Sequence, residues 1–168
     1  MSMRAGREGA IDRLRIAFEP ALRRLLHAYW RFARGLTVGV RAVVIDAGSE
    51  VFLVRHSYVS GWHLPGGGVE PGETLPQALA RELAEEGSIE VVGTPPIHGV
   101  FYNPVDSRRD HIAVFVVRIF RQEPGPWRSR EIVDRGFFAL DALPPDTTPG
   151  TRRRLAEVFE GASMSMKW

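Results

Sequence analysis

The sequence predicts an α/β sandwich, in which a mixed sheet of parallel and antiparallel strands packs against helices. β-branched runs of strand length recur between positions 36 and 140, and helical patterns occupy 75–86 and 148–160. Most links between the predicted strands are too short for the crossover helices of a regular βαβ array. A sandwich built on a mixed sheet is therefore the expected architecture.

The composition is that of one soluble domain with a short addition. The chain has 168 residues, of which 44% are hydrophobic and 25% charged, and its mean hydropathy is -0.13. No apolar run reaches the roughly 18 residues that span a bilayer, and no signal-peptide core is present, so we expect a cytoplasmic protein without a membrane span. The absence of cysteine excludes disulfides, zinc-thiolate sites and thiol catalysis.

Residues 1–34 form a predicted basic, amphipathic helical arm that precedes the main domain. Residues 1–35 hold eight arginines against three acids, a net charge of +5, which leaves -3 for the rest of a chain whose total is +2. Pro20 predicts a kink or two successive helices. The apolar stripe recurs every three or four residues, at Ile11, Leu14, Phe18, Leu22, Leu25, Tyr29 and Phe32.

The aromatic end of the arm must bury against the body or a second subunit, which makes the arm a candidate homodimer contact. A basic arm can also contact a membrane surface, a nucleic acid or a protein partner. The simpler interpretation is that its arginines are the solvated face of an amphipathic helix, and we expect no stable nucleic-acid partner.

The main domain is predicted over 35–162, followed by a short tail at 163–168. Strands 36–46 and 51–56 are separated by the turn-forming Ala47–Gly48–Ser49 and read as a hairpin. Further strand signals lie at 62–64, 90–92, 98–103, 111–120 and 133–140.

A glycine-rich turn at 65–68 leads into the helix at 75–86. Thr74 and Gln77 form a capping-box pattern, and Pro76 falls in the first helical turn, where its missing N–H costs nothing. Gly87 is the expected left-handed stop.

Three carboxylates share one face of this helix. Glu82, Glu85 and Glu86 stand at i, i+3 and i+4, and the leucine stripe of the helix overlaps their sector, so the acids border its buried side. A solvated acidic face is the alternative, but crowded like charges at a buried margin favour a bound divalent cation.

Mg²⁺ prefers oxygen ligands, with Mn²⁺ as the alternative ion, and carbonyls of Gly66 or Gly67 are candidate ligands. Glu73 can pair with Arg81 or join the cluster.

The same segment resembles the signature of the Nudix hydrolases. Gly67, five residues, Glu73, seven residues, and Arg81–Glu82–Leu83–Ala84–Glu85–Glu86 match that signature at its fixed positions, after a loop Leu64–Pro65–Gly66–Gly67–Gly68. Ser88 stands where the family usually has glycine. Because Gly87 is adjacent, we expect the helix to end at a shifted position and the site to remain active.

The resemblance implies a Nudix-type α/β/α sandwich and attack by water on a nucleoside diphosphate linked to another group. It implies Glu82, Glu85 and Glu86 as metal ligands, with a carbonyl of Gly66 or Gly67. It also implies Glu73 and Arg81 as a structural pair. Glu131, outside the signature, is the candidate general base, although a surface glutamate is about equally consistent with the sequence.

The sequence indicates the substrate less specifically than the reaction. Arg55, His63, Gly67 and Tyr102 flank the expected site and are the candidate substrate-binding residues. Pro104, about fifteen residues past the signature, lies near where the ADP-ribose branch of the family tends to carry proline. This resemblance implies an ADP-ribose-like compound, and a nucleotide sugar is the other candidate. The alternative function is a Nudix-like ligand-binding sensor or regulatory protein without turnover.

Overall fold

The computed structural model describes residues 35–105, 107–123 and 131–168. The predicted arm lies outside these residues, so its helices and its dimer contact stay predictions. Within the described residues, no helix combines the length and the apolar character needed to cross a bilayer.

The secondary structure follows the predicted alternation of strands and helices. In chain order the described elements are β1 (Thr37–Val44), β2 (Val51–His56), β3 (Trp62–His63), α1 (Leu75–Gly87), β4 (Ile89–Val91), β5 (Ile97–Asn103), β6 (Asp110–Val117), β7 (Phe120–Gln122), β8 (Ile132–Phe138), a 3-10 turn (Leu140–Ala142) and α2 (Pro149–Phe159). The predicted strand 111–120 therefore comprises β6 and the start of a separate β7.

The described strands contain both parallel and antiparallel pairs. In one sheet, of order β1–β6–β5, β1 runs parallel to β6 from Thr37↔Asp110 to Val44↔Val117, and β5 is antiparallel to β6. A second sheet, of order β3–β2–β8, is antiparallel throughout, and β4 pairs with β7. The predicted mixed sheet is confirmed.

Strand β1 has an apolar core on each of its faces, because successive side chains of a strand point to opposite sides. One core includes Leu79 and Leu83 of α1, packed with one face of β1. The other includes Val43 and Ile45, packed with Leu155 of α2. Helices thus cover both faces, and the predicted sandwich is confirmed.

The predicted hairpin of 36–46 and 51–56 is wrong in its pairing. The turn forms where expected, but β1 and β2 are joined by the isolated bridge Ile45↔Val51 and then belong to different sheets.

The glycine loop, residues 65–69, takes the edge of β1 that a hairpin partner would use. Val40 N–H donates to the Gly67 carbonyl over 2.9 Å, and Ala42 N–H donates to the Pro65 carbonyl over 3.0 Å. Since each backbone group of a strand edge must find a partner, this pairing displaces β2 and fixes the loop against β1.

Helix α1 begins at the predicted capping box but ends one residue later than expected. Gln77 Oε1 accepts a 2.9 Å hydrogen bond from Thr74 N–H. The left-handed residue is Ser88, with φ 54° and ψ 36°, and its N–H donates to the Ala84 carbonyl over 3.0 Å. The predicted stop at Gly87 and the predicted shifted exit are both wrong, because Ser88 itself adopts the conformation of the family glycine.

Gly87 is required for packing instead. A Cβ at this position would lie 2.7 Å from Ile89 Cδ1 and 3.1 Å from Phe52 Cε1. The glycine therefore lets the end of α1 approach the sheet closely.

Side chains from β7 and β8 satisfy the last carbonyls of α1. Arg135 Nη1 donates to the Glu86 carbonyl over 2.8 Å, and Gln122 Nε2 donates to the Gly87 carbonyl over 2.9 Å. Such carbonyls have no partner within a helix, so these bonds hold the acidic end of α1 in place.

Residues 163–168 pair with the outer edge of β5. Tyr102 N–H donates to the Met166 carbonyl over 3.0 Å, and Trp168 N–H donates to the Tyr102 carbonyl over 2.9 Å. The predicted tail thus follows a sheet edge, with Tyr102↔Lys167 as a parallel bridge.

We predict that Ser88→Gly raises the free energy of unfolding by about 0.5–1 kcal/mol, because glycine adopts a left-handed conformation without steric cost. The gain is limited by loss of the hydroxyl contacts at 3.3 and 3.4 Å from Arg135. Urea denaturation measures the change. Ser60→Gly, at a residue without positive φ, should be neutral or destabilising, and equal stabilisation by both changes would contradict the strain at Ser88.

Candidate active site

A cavity of about 410 Å³ lies where the glycine loop meets α1 and β1. We call it the acidic cavity, because carboxylates from three separate parts of the chain line it. These are Glu82 and Glu86 of α1, Asp110 at the start of β6, and Glu131 just before β8. Folding therefore brings the candidate base Glu131 to the same space as two of the three predicted carboxylate ligands.

Two glycines allow the loop backbone to touch these acids. Gly66 has φ +136°, and a Cβ there would lie 2.1 Å from the Val40 carbonyl oxygen. A Cβ at Gly67 would lie 2.4 Å from Glu82 Oε1. Side chains at either position would push the loop away from β1 or from α1.

Hydrogen bonds hold the loop to α1 and to the side chain of Arg41. Gly66 N–H donates to Glu86 Oε2 over 2.7 Å. Arg41 Nη1 donates to the carbonyl oxygens of Gly66, at 2.5 Å, and Leu64, at 3.0 Å. Each carbonyl keeps a second lone pair, so the Gly66 and Gly67 carbonyls retain acceptor capacity.

Arg81 joins the entrance of α1 to the acidic cavity. Its guanidinium donates to both oxygens of Glu73, at 2.8 and 3.0 Å, to Glu82 Oε1 at 2.7 Å and to the Gly68 carbonyl at 3.0 Å. The hydrogen bonds from Arg81, followed by the backbone N–H of Glu70, lower the pKa of Glu73 to about 2. Glu73 and Arg81 thus form the pair that the family resemblance implied, and Arg81 also orients Glu82.

Glu86 is the most perturbed acid of the cavity. It is 8% exposed, and burial raises its pKa to about 7. The hydrogen bond from Gly66 N–H and the charge of Arg41 lower this pKa, whereas repulsion from Glu82 and Glu131 adds to the effect of burial. His56 lies 3.6 Å away, and burial, followed by repulsion from Arg41, lowers the pKa of His56 to about 4. The imidazole is therefore neutral at pH 7 and is not a counter-charge for Glu86.

The remaining predicted ligand, Glu85, does not line the acidic cavity. Its side chain is 63% exposed and lies 3.8 Å from Arg81, whereas the side chain of Glu82 is 14% exposed. Among the described residues, no three acidic or histidine side chains are grouped closely enough to hold a metal ion together.

The predicted substrate-binding residues are distributed over different surfaces. Gly67 lines the acidic cavity, and His63 lines a neighbouring one. Arg55 lies 3.9 Å from Asp134, and Tyr102 packs against a histidine ring of β6. Neither Arg55 nor Tyr102 lines the acidic cavity.

Comparison with known proteins identifies the family. The NUDIX domain matches residues 35–159, which is most of the chain. The chain belongs to the NUDIX family. The MutT NUDIX hydrolase of Burkholderia pseudomallei has the same fold, with a TM-score of 0.63 and 28% identity over 73% of this chain and 97% of that one.

Two curated relatives align with parts of this chain. An NAD-capped RNA hydrolase, NudC, from Erwinia tasmaniensis is 35% identical over 118 residues, which cover 68% of this chain and 44% of that protein. An RNA pyrophosphohydrolase from Legionella pneumophila is 37% identical over 65 residues, which cover 36% of this chain and 37% of that protein. The chain spans half or less of the length of the curated relatives it matches.

Sequence reasoning missed several residues that line the acidic cavity of this NUDIX domain, notably Arg41, Tyr58 and Asn103. Arg41 carried a signal, since a charged residue inside the apolar run of β1 requires a buried partner. Tyr58 and Asn103 carried none, because their role depends on how the loop after β2 and the end of β5 meet in the fold.

We predict that Gly66→Ala destabilises the NUDIX domain by at least about 2 kcal/mol, because the methyl group collides with the Val40 carbonyl and strains a positive φ. Gly68→Ala is the matched control, since its Cβ would meet nothing within 4 Å, and it should change stability by less than about 0.5 kcal/mol. Urea denaturation of both variants measures the difference. Equal losses would show that the close approach at Gly66 is not what holds the loop.

We predict that Glu86→Gln stabilises the metal-free protein increasingly as the pH rises from about 4.5 to 7. The folded state keeps a proton on Glu86 that the unfolded chain loses near pH 4.5, so ionisation of Glu86 lowers the stability of the wild type across this window. Across this window the difference should grow by about 3 kcal/mol, and above it the difference should level off.

The measurement is urea unfolding in EDTA between pH 5 and 8, taken as the difference between variant and wild type. The difference is required because the depressed pKa of His56 gives the wild type a contribution of opposite sign, which rises with pH from about 4 to 6.5. A pH-independent difference would contradict the raised pKa of Glu86.

Proposed function

We propose that this protein is a divalent-metal-dependent pyrophosphohydrolase that cleaves the diphosphate of a nucleoside diphosphate linked to another group. The observation that carries the proposal is the acidic cavity, which gathers Glu82, Glu86 and Glu131 beside a glycine loop. The names of the relatives, an NAD-capped RNA hydrolase and an RNA pyrophosphohydrolase, are consistent with this reaction class. ADP-ribose-like compounds and nucleotide sugars are the candidate substrates.

The donor set of the acidic cavity fits a hard divalent cation. Its candidate ligands are carboxylate oxygens of Glu82 and Glu86 and carbonyl oxygens of the glycine loop, and a cation would offset the cost of ionising the buried Glu86. Mg²⁺ commonly uses one or two carboxylates and takes its other ligands from water and substrate phosphates, so a preformed cage of three acids is not required. Such an ion, when bound, neutralises the diphosphate and polarises its oxygens. Glu85 remains a candidate ligand that would have to turn from Arg81.

The protein residues have separate tasks in the proposed reaction. Glu131 would accept the proton of the attacking water, whose oxygen forms the new bond to phosphorus while the bridging P–O bond breaks. The departing phosphate would carry away the electron pair of that bond. Arg81 would hold Glu82 in place, and Arg41 would hold the loop. The cytoplasmic location and the dimer through residues 1–34 remain predictions.

We predict that Glu86→Gln lowers turnover by at least about 10²-fold while the protein remains folded, because the variant lacks the negative charge proposed to bind the cation. The assay follows nucleoside monophosphate release from ADP-ribose, UDP-glucose and dinucleotides in the presence of MgCl₂. Glu90→Gln is the control, since Glu90 is an exposed acid just beyond α1 that pairs with Arg121 at 3.7 Å. It should retain wild-type activity.

Two results would reject the proposal. Equal activity of wild type and Glu86→Gln would remove the role of the cation site. Tight binding of these compounds without release of product in the presence of Mg²⁺ or Mn²⁺ would instead support a ligand-binding sensor.

A further inference from the structure

A second cavity, of about 640 Å³, adjoins the acidic cavity. The two share the wall residues Arg41, Tyr58, Asn103 and Ile112, so a single extended molecule can occupy both. Under the proposed function, a substrate with its diphosphate at the acidic cavity extends its organic group into this second space.

The lining of the second cavity differs in chemistry from that of the first. The residues described along it include no carboxylate, and they include the aromatic rings of Tyr58, His63 and Trp168. Val59, Val105 and Ile112 add apolar surface. Arg41 and Arg153 are the charged residues of this lining. Such walls suit a flat ring attached to an anionic phosphate rather than a metal ion.

His56 lies behind the aromatic wall of this cavity and is 6% exposed. Its ring packs against those of Tyr58 and His63, with centroids 5.1 and 5.7 Å apart. Its ring nitrogens are buried, so His56 supports the wall and does not supply a hydrogen-bonding group to a ligand.

Trp168 reaches the cavity because the first turn of α2 has no side chain at Gly150. A Cβ there would lie 2.6 Å from Trp168 Nε1, so the indole rests directly on the helix backbone. The backbone hydrogen bond from Trp168 N–H to Tyr102 holds the residue at the edge of β5.

A buried ionic network fixes the segment that carries Trp168. Arg154 is fully buried, pairs with Glu157 at 2.5 Å and lies 3.8 Å above the ring centroid of Phe101. Glu157 also accepts a 2.9 Å hydrogen bond from Ser165 N–H and contacts His98 Nε2 at 2.8 Å. Buried charges of this kind persist when they are paired. Here the Arg154–Glu157 pair binds the segment just before Trp168 and so holds Trp168 at the cavity.

A nucleoside diphosphate, the substrate class of the proposed function, would place its base in this second cavity. We propose that Trp168 is the specificity-determining wall against which that base stacks. The inference rests on the proposed function for the position of the diphosphate, but base binding does not require turnover. The segment at 163–168 is thereby part of the substrate site.

The test compares ligands with and without a base by calorimetry on the full chain with MgCl₂. The probes are AMP, GMP, UMP and CMP, with ribose 5-phosphate as the ligand that lacks a base. The wild type should bind its preferred nucleotide about 10-fold or more tightly than ribose 5-phosphate, as expected for stacking of one base. Trp168→Ala should abolish most of this preference and leave ribose 5-phosphate binding unchanged, whereas Trp168→Phe should retain it.

Two further variants separate stacking from general damage. Gly150→Ala should weaken nucleotide binding as Trp168→Ala does, because its methyl group displaces the indole without touching the acidic cavity. Ile119→Ala, at an exposed residue that lines neither cavity, should bind every probe as the wild type does.

The inference is overturned if no nucleotide binds better than ribose 5-phosphate, or if Trp168→Ala keeps the wild-type preference. A protein that shows the Trp168-dependent preference but hydrolyses no diphosphate supports this inference and rejects the proposed function. Hydrolysis that is lost in Glu86→Gln, with base binding insensitive to Trp168, gives the reverse result.

Discussion

The hydrogen bond from Gly66 N–H to Glu86 joins the three elements on which the site depends. It connects the glycine loop to α1, while the carbonyls of the same loop bind the edge of β1 and the guanidinium of Arg41. The loop can approach this closely only because Gly66 has no side chain to meet the Val40 carbonyl. This contact, together with the Arg135 and Gln122 bonds to the last carbonyls of α1, fixes where the acidic end of α1 lies against the sheet.

The burial of Glu86 at this contact has an energetic cost. Glu86 is buried, and the bond from Gly66 and the nearby Arg41 do not offset the loss of hydration, so its pKa rises to about 7. A protein selected for stability alone would place an amide or an apolar side chain there. A carboxylate at this position lowers the stability of the fold, which is common at functional sites.

The local features of the site were predictable from the sequence, and the long-range ones were not. The capping box at Thr74 and the spacing of the three glutamates depend on helical geometry, which the residue pattern specifies. The Glu73–Arg81 pair was implied by the family resemblance. The pairing of β1 was mispredicted because a turn between two apolar runs does not reveal that a distant glycine loop competes for the same strand edge.

The end of α1 shows a related limit of sequence reasoning. Glycine is usually chosen for a left-handed residue, yet Ser88 adopts that conformation here, and Gly87 is used for close packing against Ile89. The placement of Trp168 at the second cavity could not be predicted from the sequence either, since it depends on Gly150 and on a buried pair between Arg154 and Glu157. Glu131 could be proposed only through the family resemblance, because its approach to Glu86 results from the fold of β8.

Arg135 gives strand β8 a role at the site in addition to its pairing with β2. It lies four residues after Glu131 and binds the Glu86 carbonyl near the end of α1, so β8 both follows directly on the candidate base and anchors the helix that bears the candidate ligands. The four-residue spacing between Glu131 and Arg135 therefore sets the distance from the candidate base to the end of α1. A slip of β8 by one residue against β2 would carry Glu131 and the Arg135 anchor out of place together, so the register of an ordinary antiparallel pair sets the spacing of the reacting groups.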